Sequence, residues 1–348
     1  MAPFIMNPFR FGGGGAVGGW KELDRTTLSG SGSTIDVTGL DDKQYYMVLR
    51  NILTATADVR ENFNSDTGNN YSRRYSANGG SDVTSINNDH IGLNYSAGDK
   101  FIVDYVSNLS TVEKLVLSHS SEEGSAGASN PPNRMEVVGK WANTSNAIDE
   151  INTSLGGGSY DTGSEVVVLG YDASDTHSDA DNFWQELTSV DWSSGNSITT
   201  STFTPKKYIW YQGWWKTGAS MSGAYSALQV GNSTIDTGSN YSERYSVNGS
   251  ADSTETSVSN MYGLVGQGNS ASNVINFTNG FIVNNASNEK LFIADSTFGL
   301  DGASNVNGRS EAVGKWANTS NQIDIIKLLT PAGSGNWIAG QVKVWGHD

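Results

Sequence analysis

The sequence contains no cysteine, so disulfides, thiolate metal sites and cysteine nucleophiles are all excluded. Histidine occurs four times and proline six times in 348 residues. Charged residues reach only 16 %, and the formal net charge is −15. A phosphate-binding surface needs clustered Lys and Arg, so this balance argues against nucleic acid as a partner. Apolar runs long enough to cross a bilayer as a helix are also missing, so no membrane insertion is expected. The opening residues lack the basic n-region and uninterrupted h-region of a signal peptide, because Pro3 and Pro8 break the run. Release from a cell would then follow a route other than ordinary secretion.

Hydrophobic residues make up only 36 % of the chain, but Gly, Ser, Thr and Asn fill the gap instead of charge. Ten Trp and 10 % aromatics speak against disorder, which pairs low hydrophobicity with high charge. Many short strands joined by polar turns fit this composition, and the expected fold class is all-β.

The chain repeats itself. Gly139–Asn146 reads G-K-W-A-N-T-S-N and recurs letter for letter at Gly314–Asn321. A block from Asp66, D-T-G-N-N-Y-S-R-R-Y, returns from Asp236 as D-T-G-S-N-Y-S-E-R-Y. Arg134 and Glu136 precede the first Trp block as Arg309 and Glu311 precede the second. A period this long is a whole module, doubled, not a solenoid repeat. The sequence therefore divides into an N-terminal arm with a Gly hinge (1–19), a first module (20–172), a linker (173–182) and a second module (183–348). Strands are expected at Tyr45–Ile52, Phe101–Val106, Val112–Ser118 and Glu165–Leu169. Their partners are Tyr208–Trp215, Phe281–Val283, Lys290–Ile293 and Gln341–Trp345. Asp181–Ser189 alone has room for a helical turn. The expected architecture is two tandem homologous, jelly-roll-like β-sandwich domains with an extended arm.

No nucleophile elbow, P-loop, zinc-protease motif or dinucleotide fingerprint is present, so no catalytic residue, metal or cofactor is assigned. The repeated Asp66 block and Trp141 read as scaffold, since two diverged copies retain what the fold requires. The linker aspartates Asp172, Asp175, Asp179 and Asp181 lack the spacing of a calcium loop and read as solvated. Two features point outward. Phe4, Ile5, Met6, Phe9 and Phe11 form an apolar arm ahead of Gly12–Gly15, suited to anchoring on a neighbouring subunit. Trp210, Trp214 and Trp215 offer a surface for a partner or for sugar rings.

An aromatic arm, a Gly hinge and doubled Ser/Thr/Asn/Gly-rich sandwiches without Cys resemble virion structural proteins of marine bacterial or archaeal viruses. The resemblance implies a non-enzymatic capsid-decorating, vertex or tail-appendage component. Its partners would be other virion proteins and copies of itself, as a homo-oligomer such as a trimer, with host-surface glycans as a further ligand. It would be assembled in the host cytoplasm and found in the virion. A double jelly-roll major capsid protein and a tandem carbohydrate-binding module are the alternatives.

Overall fold

The computed structural model describes residues 19–56, 58–175, 179–218, 226–266, 273–300, 302–330 and 336–348. Phe4, Ile5, Met6, Phe9 and Phe11 lie outside the described residues.

The chain is all-β. The first repeat supplies β1 (Lys21–Thr27), β2 (Thr34–Thr38), β3 (Tyr45–Ile52), β4 (Val59–Phe63), β5 (Tyr71–Ala77) and β6 (Val83–Asn88). It continues with β7 (Ile91–Gly92), β8 (Lys100–Ser107), β9 (Lys114–Glu122), β10 (Asn133–Trp141), β11 (Glu150–Leu155) and β12 (Glu165–Tyr171). The second repeat supplies β13 (Gln185–Trp192), β14 (Ser197–Thr199), β15 (Tyr208–Thr217), β16 (Ala227–Asn232), β17 (Thr234–Ile235) and β18 (Tyr241–Val247). It ends with β19 (Ser253–Val258), β20 (Val274–Val283), β21 (Lys290–Leu300), β22 (Gly308–Trp316), β23 (Ile325–Leu329) and β24 (Trp337–His347).

An eight-stranded sheet of order β1-β12-β3-β8-β9-β10-β5-β6 pairs with a four-stranded sheet, β2-β11-β4-β7. The same two orders recur as β13-β24-β15-β20-β21-β22-β18-β19 and β14-β23-β16-β17. Alternation explains the layering. On β2, Ile35 and Val37 point inward between exposed Thr34, Asp36 and Thr38, while β3 and β12, central in the larger sheet, are buried on both faces. Ile35, Val37, Phe63 and Ile151 of the smaller sheet meet Val48, Ile102, Val137 and Val168 of the larger one. Ile198, Leu228, Ile326 and Leu328 meet Tyr211, Trp215, Ile282 and Val342 in the same way in the second repeat.

The helical turn expected at Asp181–Ser189 is not there. A short 3-10 turn spans Asp179–Asp181, and Gln185–Trp192 is an edge strand paired with β24. Alternating exposure along that strand is a period of two, which the sequence reading mistook for a turn of helix.

The recurring sequence blocks have a common job. Asp66 closes its own turn through the N–H of Gly68 (2.8 Å) and the amide of Asn70, and accepts the indole Nε1 of Trp141 at 2.7 Å. Asp236 repeats this with Gly238, Asn240 and Trp316 (2.8 Å). Lys114 and Lys290 lie 5.6 and 5.7 Å from the centroids of the two indoles and cap the carbonyls of Asn143 and Asn318. Burial alone would raise the Asp66 carboxyl, but the bonds from Trp141, Asn70 and Gly68 outweigh it and hold it below its ordinary value. Asp66→Ala is therefore expected to cost about 1.5–3 kcal/mol, the range for hydrogen bonds to a charged acceptor, read as a lower urea midpoint. An unchanged midpoint would show that the turn forms without its carboxylate.

Candidate interaction surfaces

A third core joins the two repeats. Met47, Leu49, Phe101, Val103, Val167 and Leu169 of the first large sheet pack against Tyr208, Trp210, Phe281, Leu291, Ile293, Val313 and Trp345 of the second. Trp20 and Trp184, which immediately precede β1 and β13, fill the space between, and the N–H of Phe183 donates to the carbonyl of Trp20 at 2.7 Å. Polar locks surround this core. Arg134 grips Asp252 with two bonds of 2.9 and 2.7 Å, and the amides of Asn51 and Asn285 bond each other. Glu165 takes Lys207 Nζ at 3.0 Å and the hydroxyl of Tyr208 at 2.9 Å. Asp295, half-buried near this joint, is pushed up to about 6 by desolvation, against the pull of Arg134 and Arg309.

The joint covers different parts of the two repeats. Strand registers make Tyr208, Leu291, Ile293 and Val313 the counterparts of Tyr45, Leu115, Leu117 and Val138. The first four are buried in the joint, whereas Tyr45 is 37 % exposed and the other three about half exposed. Leu117 faces Val138 and Tyr105 across its strand pairs, and Tyr45 stacks on Tyr171, so these residues form one apolar face. No sequence signal marks it, because the face consists of ordinary alternate positions of a sheet.

Of the three tryptophans assigned to a surface, only Trp214 is on one. Trp210 is 3 % exposed and sits in the joint, with Trp184 and Trp345 rings 5.7 and 5.1 Å away. Trp215 is 0 % exposed on the opposite face of β15, stacked on Trp337 at 5.3 Å, with its Nε1 donating to Ser226. Trp214 is 40 % exposed. It faces Phe277 on β20 and Gln341 on β24. Two hollows meet at Phe277. The larger, about 420 Å³, is lined by Ile275, Phe277, Thr297, Phe298, Asn305 and Asn307 among others. The smaller lies among Gln212, Trp214, Gln341, Lys343 and Trp345.

The adjacent acids Glu122 and Glu123 are both engaged by backbone N–H groups. Glu122 is buried and accepts the N–H groups of Tyr95 and Ser96, while Glu123 accepts that of Asp99. Among the described residues no group of three acidic or histidine side chains is placed to hold a metal ion, and no helix is long and apolar enough to cross a membrane.

No protein-family model matches the chain, and no curated protein does. Among solved structures, it aligns with Neisserial surface protein A at 9 % identity over 82 % of this chain and 97 % of that one, TM-score 0.14. It aligns with a chain from the Sulfolobus Turreted Icosahedral Virus structure at 8 % identity over all of both chains, TM-score 0.15. Human GIVD cytosolic phospholipase A2 aligns at 8 % identity over 79 % of this chain and 33 % of that one, TM-score 0.12. Scores this low carry no argument about fold or function.

Proposed function

We propose that the chain is a non-enzymatic structural component of a virus particle, a capsid-decorating, vertex or tail-appendage protein. In this reading residues 20–172 and 183–348 are tandem jelly-roll-like β-sandwich domains joined by 173–182. Their partners are copies of the same chain and other virion proteins, bound through the N-terminal arm and the sheet faces. The single observation that carries the reading is the open face of the first repeat. Tyr45, Leu115, Leu117 and Val138 are apolar and exposed, yet their counterparts in the second repeat are buried under another module. A contiguous apolar face of this kind is characteristic of an interaction site. The two repeats are fastened to each other by an aromatic core and ionic locks, which suits a rigid building block.

The experiment is the solution mass of the full chain, of a chain starting at Gly18, and of a Leu117→Glu variant, by light scattering. A defined oligomer is expected for the full chain, and a smaller species for the other two. A full chain that stays monomeric across the concentration range would overturn the reading.

A further inference from the structure

The two repeats treat one stretch of sheet in opposite ways. In the first, Leu49, Val103 and Val167 flank Phe101 and lie in the apolar joint between the repeats. The strand registers place Gln212, Asn279 and Lys343 at the equivalent positions of the second repeat. Phe101 is retained as Phe277, and Asn51 is replaced by Trp214. The aliphatic side chains have thus become amides and an ammonium, while the aromatic content has risen. Protein–protein cores select the reverse, aliphatic and aromatic residues with few charges.

The polar groups around the rings are held in place. Asn279 Oδ1 accepts Trp210 Nε1 at 2.6 Å and Gln212 Nε2 at 3.1 Å. Gln341 Nε2 donates to Asp191 at 2.6 Å. Lys343 reaches Glu186 at 3.4 Å, and Arg309 pairs with Glu311. With those cations already facing carboxylates, and Asp295 nearby on β21, a phosphate or other anion is a poor match. A neutral ligand with flat C–H faces and a rim of hydroxyls fits both the exposed rings and the amides.

We infer that the groove running from Trp214 over Phe277 to Asn305 and Asn307 binds a neutral oligosaccharide. Trp214 and Phe277 carry the sugar rings, and Gln212, Gln341 and Asn307 reach their hydroxyls. The larger hollow falls within the volume range of small-ligand sites. This goes beyond the structural role proposed above and does not depend on it.

The test is titration of the full chain with cellohexaose, maltohexaose and chitohexaose, by calorimetry and tryptophan fluorescence. Saturable binding of at least one is expected, weakened at least about tenfold in Trp214→Ala and in Phe277→Ala, a loss of about 1.4 kcal/mol. Tyr45→Ala, on the open face of the first repeat, should bind as the parent does, and thermal melts confirm that each variant is folded. No binding by any of the three sugars, or unchanged binding in Trp214→Ala, would overturn the inference. So would a change of oligomer mass in Trp214→Ala, because the groove would then be covered by protein. Loss of assembly in Leu117→Glu with sugar binding intact leaves the groove standing and bears only on the assembly reading.

Discussion

Arg50→Met is expected to remove about 3–5 kcal/mol of folding stability, the range for stripping one partner from a buried ion cluster. Arg50, Glu61 and Asp104 are all fully buried between the sheets of the first repeat. The guanidinium pairs with both carboxylates, and its Nε donates to Thr153 Oγ1 at 3.1 Å. Methionine fills similar space but leaves two acids buried without a counter-charge. The second repeat shows the apolar solution at the same places. Gly213, Leu228, Gly280 and Leu328 stand at the positions of Arg50, Glu61, Asp104 and Thr153. There the ring of Tyr211 lies over Gly280, where a Cβ would come within 2.4 Å of it, and Leu328 closes on Gly213. A variant that also replaces Glu61 by Leu and Asp104 by Gly should accordingly lose less than the single one, despite carrying more changes. Urea unfolding measures both. A single variant as stable as the parent would mean that the triad is not a coupled unit.

The second large effect is on pH. Glu243, fully buried on β18, is pushed up from 4.5 to about 8 by desolvation. The N–H groups of Tyr262 and Gly263, each 2.8 Å from a carboxylate oxygen, pull it down, and Glu255 raises it further. A raised folded-state value means that the folded chain holds this proton while the unfolded chain has released it. The contribution is fully present below pH 4.5 and is lost as pH rises through about 8. The gap of roughly 3.5 pH units corresponds to about 5 kcal/mol. Asp295, pushed up to about 6, acts in the same direction. Glu243→Gln cannot titrate, so its stability relative to the parent should rise between about pH 5 and pH 8 and level off above that. Comparing the two chains across that window isolates Glu243 from the other acids. A constant difference would show that Glu243 is ionised throughout. The first repeat has Arg73 at this position, donating to the carbonyl of Gly92, so the effect belongs to the second repeat alone.

The duplication, the all-β class and most strands were legible because they depend on local pattern and on repeated words of sequence. β3 and β15 begin where the sequence placed them, and strand alternation puts Trp210 and Trp214 on one face of β15 and Trp215 on the other. The scaffold role of Asp66 and Trp141 was also readable, since both copies kept the pair and the structure joins them by a hydrogen bond. Strand ends were read less well. β21 runs on to Leu300, because its edges are fixed by pairing with β20 and β22 and not by its own residues.

What the sequence by itself determined is the period of two in each strand and the doubling of the module, because both arise between neighbours in the chain or between copies of one text. Which side of each strand meets water was decided only by the tertiary structure. Trp210 and Trp214 share a face and a parity, yet one is sealed under the first repeat and the other is open. The open face at Leu115, Leu117 and Val138 arises in the same way. Its burial depends on where a second sheet stops, a long-range packing outcome that no local pattern encodes.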